Sequence, residues 1–381
     1  MRLLHVVPTY LPAVRYGGPI VSVHGLCKAL VRAGHEVHVF TTNVDGPGDS
    51  SAPLVRPVPV DGVQVRYFRV PLLRRLYWSP GLGAAIRAQA KRFDLLHLHS
   101  VFLWPTLAAA RAAAAAGVPY VVSPRGMLVR ELIRRKSRWM KTAWIELFER
   151  GNLERANAIH VTSTSEAAEF AALGLTARRV ITIPNGVDLP DVMDDPAAGA
   201  ERDPYVLFLG RINWKKGLDR LIEAMALIPG ARLAIAGNDE EGYGPELLRL
   251  AEAAGVSQSV TFLGPVGGEE KWRLFRGAQC FVLASHSENF GNTVLEAMAA
   301  GCPVVVTPEV GLAGVVKESG AGFVVEGKPA AIADAVRRLQ ADQSLRRQMG
   351  RAGRTAAEDH FTWDAVAGDM AHAYTSLLES C

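Results

Sequence analysis

Short apolar runs separated by amphipathic stretches recur along the whole chain, and they fall into two series. The first comprises LLHVVP, EVHVFTT, VQVRYFRV, LLHLHS, YVVSP, AIHVTS and VITIPNG; the second comprises YVLFLG, RLAIAG, VTFLG, CFVLAS, PVVVT and GFVVEG. Runs of this kind read as strands buried on both faces. The gaps between them, such as PIVSVHGLCKALVRAG and GLDRLIEAMALIPG, carry helical periodicity. Strand–helix alternation implies parallel sheets covered by helices on both faces. Two series imply two doubly wound α/β domains.

A chain of 381 residues is long for one domain and comfortable for two. The first domain is expected over 1–185 and the second over 204–363. The linker 186–203, GVDLPDVMDDPAAGAERD, is rich in Pro, Asp, Gly and Ala and lacks apolar periodicity. After Pro329 the pattern is helical. Its last stretch, FTWDAVAGDMAHAYTSLLES, offers Phe361, Trp363, Val366, Met370 and Tyr374 for packing. The helix over about 364–381 is expected to pack back on the first domain.

Bulk properties narrow the class. About half the residues are apolar (49%) and the net charge is +4, which suits a soluble enzyme and argues against a nucleic-acid binder. Cys27, Cys280, Cys302 and Cys381 are scattered without CxxC or metal-ligand spacing, as in reduced thiols of a cytosolic protein. The apolar run in MRLLHVVPTY is too short for a signal peptide and reads as a first strand. No stretch reaches the length of a membrane span; LAAARAAAAAGV is interrupted by Arg111.

The stretch SHSENFGNTVLEAMAAGCPVVVT, Ser285 to Thr307, holds two acids, Glu288 and Glu296, between the end of one strand and the start of the next. In a β–loop–α–β unit, ligands bind where strand ends meet helix N-termini, whose unpaired N–H groups suit an anion. Both acids can therefore face one pocket. A plainer reading stands beside this one. Thr293 followed three residues later by Glu296 is a capping box, with Thr293 as N-cap, and Glu288 is then a solvated loop acid.

Other segments complement it. FLGRINWKKGLDRLIEA places Arg211, Lys215 and Lys216 at a strand end, just before a helix opened by Gly217. These are cations for a diphosphate, or an ordinary basic turn. In YGGPI, Gly17 and Gly18 allow close backbone approach and Pro19 suits a first helical turn. Neither GxGxxG nor GxxxxGK[ST] occurs, which disfavours dinucleotide and P-loop readings. HLHS turns His97 and His99 the same way, as structural histidines, as polar groups lining a cleft, or as metal ligands lacking a third partner. SPRGMLVRELIRRKSRWMKTAWIELFER is the most basic stretch, with Arg130, Arg134, Arg135, Lys136, Arg138 and Lys141 among Trp139, Trp144 and aliphatics. It reads as a solvated helix face, or as a surface at 130–141 for an anionic acceptor or the membrane interface.

With these pieces in order, the chain resembles the family-4 retaining glycosyltransferases of the GT-B fold over nearly its whole length. The resemblance is carried by GGP, GHEVHVFTT, SPRGML, IPNGVD, GRINWKKGLD, FLG, SENFGNTVLEAMAAGCPVV and FTWDAVA. It implies two Rossmann-like domains facing a central cleft, and Glu288 and Glu296 as the acids of an E-x7-E motif around a nucleotide-sugar diphosphate. By position, Glu288 would contact the donor sugar, with the amides of Asn289, Phe290 and Gly291 nearby. Asn292 and Thr293 would meet the diphosphate, and Glu296 the ribose. Arg211 and Lys216 would hold the diphosphate and assist the leaving group, the task a metal performs elsewhere. Gly17 and Gly18 would close over it, and the base would lie near Asn238 and Leu263. Many relatives have His where SPRGM places Arg125; Arg125 cannot act as a base but can stabilise charge.

The implied activity is transfer of a hexosyl unit from a UDP- or GDP-sugar to a glycan or lipid-linked glycan, with retention, in cell-surface polysaccharide synthesis. No metal or other cofactor is expected. The protein is expected in the cytoplasm, peripherally at the inner face of the cell membrane, and without nucleic-acid partners. The competing expectations are an inverting GT-B transferase or epimerase, and a catalytically silent nucleotide-sugar-binding protein.

Overall fold

The computed structural model describes residues 1–13, 17–54, 56–129, 142–190, 204–239 and 241–380. The basic 130–141 segment and most of the linker lie outside the described residues. The chain forms two compact units, Met1–Gly186 with Trp363–Cys381, and Val187–Thr362.

The first unit carries strands β1 (Arg2–Val7), β2 (Glu36–Thr42), β3 (Val44–Asp45), β4 (Gly48–Asp49), β5 (Val58–Val60), β6 (Val63–Phe68), β7 (Leu95–His99), β8 (Tyr120–Ser123), β9 (Ala158–Val161) and β10 (Val180–Thr182). Eight of them form one sheet in the order β10-β9-β8-β7-β1-β2-β6-β5, while β3 and β4 pair as a small hairpin. All pairings in the large sheet are parallel except β5 with β6. Alternation splits each strand between two cores. Leu3, Val7, Leu95 and Val121 enter one; Leu4, Val6, Leu96, Leu98 and Val122 enter the other.

The first of these cores is closed by the helix Gly18–Arg32 and by the last helix, Trp363–Glu379. Trp363, Val366, Met370, Tyr374 and Leu377 belong to it. Gly25 lets the two helices meet, because a Cβ there would lie 2.3 Å from the Trp363 ring. Arg32 adds a bond to Asp364 at 2.7 Å across the same contact.

The second unit carries β11 (Val206–Leu209), β12 (Leu233–Ala236), β13 (Val260–Gly264), β14 (Cys280–Leu283), β15 (Val304–Val306) and β16 (Gly322–Val324), in the order β13-β12-β11-β14-β15-β16. Every pairing is parallel. Strands β11, β14 and β15 are buried throughout, as their unbroken apolar runs require. Among the described residues, no helix is long and apolar enough to cross a membrane.

Sequence reading finds every long strand and misses the two-residue β3 and β4 and the edge strand β5. That strand is three residues, VPV, and its central Pro59 is tolerated because β5 is the sheet's edge.

Candidate active site

In the second unit, strand order runs outward from β11 in one direction and from β14 in the other. The crevice beyond the C-terminal ends of these two strands is where ligands bind in such sheets. The loop after β11 carries Arg211, Lys215 and Lys216; the loop after β14 carries Glu288 to Gly291.

The two loops are locked together by backbone. The amide of His286 donates to the carbonyl of Lys215 at 2.7 Å. Gly217, with φ 66°, sits against the Ala284 carbonyl so closely that a Cβ would lie 1.9 Å from its oxygen. Asn213 caps the short turn Trp214–Lys216 by accepting the Lys215 amide at 3.1 Å. Arg220 donates from Nη1 to the same Ala284 carbonyl at 3.2 Å. On this frame Lys216 Nζ donates to Glu288 Oε2, both side chains being 17% exposed.

Burial alone would raise the Glu288 carboxyl. The charge and hydrogen bond of Lys216, the Phe290 amide and the charge of Arg211 outweigh it and bring the pKa below the usual glutamate value. Glu288 is therefore ionised at neutral pH, and Arg211 is exposed beside it. The loop Glu288–Gly291 is pinned on its other side by the turn after β15. The Glu288 amide donates to Glu309 at 3.1 Å, and the amides of Gly311 and Leu312 donate to Glu288 and Phe290 at 3.0 Å each.

Glu296 corrects one expectation. The helix runs Asn292–Ala299 and its N-cap is Gly291, with φ 99° and no side-chain cap. Thr293 is thus inside the first turn, and the capping box is not made. The αL backbone available to glycine moves the helix start two residues upstream. The Glu296 carboxylate is held instead by Lys271 Nζ at 2.9 Å, and Lys271 itself lies over the Trp272 ring at 4.4 Å. The two acids thus rest on separate lysines. Phe290 is a further difference: its ring is buried in the core at 3% exposure and its amide serves Glu288.

Of the residues expected near the base, Asn238 follows β12 and accepts the Ile212 amide on its carbonyl at 2.8 Å. Leu263 lies on the edge strand β13 and is 42% exposed. In the first unit, Gly17 (φ 63°) is the N-cap of Gly18–Arg32, with Pro19 in its first turn. Lys271, Asn213 and the 309–312 turn were all missed, and for Lys271 and the turn nothing local points to them. Only Asn213, an amide side chain two residues before the amide it accepts, leaves a sequence signal.

The histidines also need correcting. His97 and His99 do face the same way, but with Leu95 toward the core closed by the last helix; at 0% and 1% exposure, neither lines an open cleft. They join His5 and His160 in a buried network whose bond polarity follows from its ends. His160 Nε2–H donates to the Ile183 carbonyl at 2.9 Å, so Nδ1 accepts from Ser123 at 2.7 Å. Ser123 then accepts from His97 Nε2–H at 2.6 Å, and His97 Nδ1 accepts from the Tyr374 hydroxyl at 2.5 Å. In a second chain, donor-only Arg125 approaches His99 Nδ1 from Nε and Nη2 at 3.4 and 3.3 Å. His99 Nε2–H therefore donates to His5 Nδ1 at 3.0 Å.

His5, His97 and His99 bring ring nitrogens within 4.8 Å of one another, a spacing that fits metal ligands. The polarity does not. A metal-bound imidazole needs an acceptor behind its far N–H, whereas a guanidinium stands behind His99 and both nitrogens of His97 are engaged.

Burial, with Arg125 adding to it, pushes His5 and His160 down to about 3 and lowers His99 strongly. His97 is lowered strongly as well, by burial and then by its histidine neighbours. Unfolded, each would titrate near 6.5. The unfolded chain thus binds more protons in the window from 6.5 down to about 3, and stability falls as pH falls through it. Urea unfolding followed by tryptophan fluorescence is expected to show the first unit losing stability from about pH 6.5 downward, above the range where carboxylates titrate. A flat stability profile down to about pH 5 would contradict the neutral network.

With this geometry in place, comparison with known proteins is informative. Residues 194–356 match the family model described as glycosyl transferases group 1, and residues 17–186 match that of the glycosyl transferase 4-like domain. A D-inositol 3-phosphate glycosyltransferase of Pseudarthrobacter chlorophenolicus is 30% identical, over 99% of this chain and 94% of its own. An uncharacterised glycosyltransferase of Methanocaldococcus jannaschii is 28% identical, over 100% and 99%. Among solved structures, sucrose-phosphate synthase from Thermosynechococcus elongatus aligns with TM-score 0.80 and 24% identity over the full length of both chains. The Anabaena protein HepE, in complex with UDP-glucose, aligns with TM-score 0.77 and 20% identity over 99% of this chain and 100% of its own. These two likenesses establish a shared fold, GT-B with two Rossmann-like domains.

Proposed function

The chain belongs to the group 1 glycosyl transferases of the GT-B fold, and on that premise we propose that it moves a hexosyl unit from a UDP- or GDP-sugar to a glycan or lipid-linked glycan, with retention, in cell-surface polysaccharide synthesis. The observation that carries this reading is the pairing of Lys216 with Glu288 at the point where the second sheet reverses its strand order. The UDP-glucose held by the Anabaena protein of the same fold supports a nucleotide-sugar donor.

The chemistry follows from charge. Departure of a nucleoside diphosphate concentrates negative charge on its leaving oxygen, and fixed cations stabilise that charge without reorganisation. Lys216 is held in place by Glu288 before any donor arrives, and exposed Arg211 is the second cation. Glu288, ionised and supported by the Phe290 amide, would contact the donor sugar. Glu296 has one oxygen on Lys271 and a second, Oε2, that accepts no bond among the described residues; it would take the ribose hydroxyls. Asn289, Gly291, Asn292 and Thr293 line the start of the helix that would meet the diphosphate. With two cations performing the charge neutralisation, transfer would proceed without a divalent ion.

The reading is tested by assaying nucleotide-sugar turnover in EDTA across UDP- and GDP-sugars. Turnover with at least one donor is expected, and activity that vanishes in EDTA and returns with Mg²⁺ or Mn²⁺ would overturn metal independence. In the same assay Lys216→Ala is expected to lose about 2 kcal/mol or more of transition-state stabilisation, and unchanged turnover in a folded variant would reject its role.

The two acids are expected to separate kinetically. Glu296→Gln removes a charged acceptor worth about 1.5–3 kcal/mol, so donor KM should rise more than about tenfold. Glu288→Gln should chiefly lower kcat, because its partner would be the sugar whose bond breaks. Steady-state kinetics with melting curves alongside decide it; a Glu296→Gln enzyme with wild-type donor KM would return Glu296 to a structural role as partner of Lys271.

A further inference from the structure

Arg125 is placed with unusual care. It follows β8 through Pro124 and holds a left-handed backbone, φ 56°, which is costly for a residue with a Cβ. Ser100 (φ 74°) and Phe102 (φ 62°), in the neighbouring loop after β7, share that strain, and the Ser100 amide ties the two loops together through the Ser123 carbonyl at 2.9 Å. Strain of this kind clusters at ligand clamps. The guanidinium is gripped from two other strand ends. Nη1 donates to Asn185 Oδ1, beyond β10, at 2.8 Å, and Nε and Nη2 reach His99 Nδ1, at the end of β7.

What grips it is neutral. His99 and Asn185 bring no negative charge, and His5 behind them is also neutral. Among the described residues no carboxylate comes within ion-pair distance of Arg125. Glu166 is the carboxylate whose charge it feels, but Oε1 of that residue accepts the Gly126 amide at 2.7 Å and Oε2 accepts the amide and hydroxyl of Thr162 at 2.8 and 2.9 Å. Arginine has five N–H donors, so donors on both terminal nitrogens remain without an acceptor among the described residues. The residue is only partly buried. A partly desolvated cation fixed by neutral groups is stable when a mobile anion completes it, and a planar fork suits a phosphoryl group.

We propose that Arg125, fixed by His99 and Asn185, is the seat of a phosphoryl group carried by a substrate of the transfer. The inference deepens the transferase reading and rests on it for the identity of the substrate, though not for anion binding itself. The group is either a phosphate on the acceptor or the diphosphate of the donor.

The probe is inorganic phosphate, titrated calorimetrically into the full-length Lys216→Ala variant, which lacks the lysine assigned to the diphosphate in the second unit. Binding is expected to persist there and to weaken at least about tenfold when Arg125→Gln is added. Phosphate affinity unchanged by Arg125→Gln, with melting curves intact, overturns the proposal. Should that variant fail to fold, Arg125→Lys keeps the charge and loses the fork. A severalfold weaker phosphate affinity is then expected, and equal affinity overturns the proposal in the same way. UDP and GDP titrated into Arg125→Gln distinguish the source: weakened binding assigns the seat to the donor diphosphate, and unchanged binding to an acceptor phosphate. Phosphate binding at Arg125 in a protein that turns over no nucleotide sugar would fell the functional reading and leave this one standing. Transfer in an enzyme whose phosphate affinity ignores Arg125 would fell this one alone.

Discussion

The carbonyl oxygen of Ala284 occupies the space that a side chain at position 217 would need. That close approach sets the separation between the loops after β11 and β14. Any Cβ at 217 would force them apart, and Lys216 would leave Glu288. The pair is therefore a consequence of backbone packing more than of mutual attraction. Two charges meeting at a partly buried site recover little net energy from each other once desolvation is counted. What they gain here is position: Glu288 is pinned through its own amide and carbonyl to the 309–311 turn, and it holds the Lys216 ammonium in one place.

Much of this was legible in the sequence because the determinants are local. Strand–helix alternation requires parallel sheets, and the cations after FLG and the acids in SENFGNTVLE lie where strand ends meet helices. The failures share a different cause. Thr293 followed by Glu296 has the form of a capping box, but the helix starts earlier because Gly291 can adopt φ 99°. Nothing in NFGNT says which of two cap candidates wins. Lys271 reaches Glu296 from another helix, 25 residues upstream, and no periodicity encodes that contact. His97 and His99 were recognised as a pair, but their burial depends on a helix near the far end of the chain.

The two sheets put the same topology to different electrostatic use. Where β11 meets β14, Lys216 is already paired with Glu288, and Arg211 stands exposed beside them. Where β1 meets β7, four histidines are kept neutral and one arginine is left as the local charge. A neutral imidazole is both donor and acceptor, so a row of them transmits orientation without adding charge. Arg125 can donate only, and each ring behind it must take the tautomer that answers.

The last helix belongs to the unit that the ribosome makes first. Trp363 to Leu377 complete a core begun by Leu3, Val23 and Val37, and the whole of Val187–Thr362 is synthesised in between. On a nascent chain the second unit can finish before the first, since all its strands are contiguous. The first unit waits with one face of its sheet covered by Gly18–Arg32 but not by the last helix, and so without Tyr374 on the histidine network. Vectorial synthesis, which usually favours the N-terminal domain, is here reversed in outcome. Chain termination before Trp363 would leave open a core that starts at Leu3.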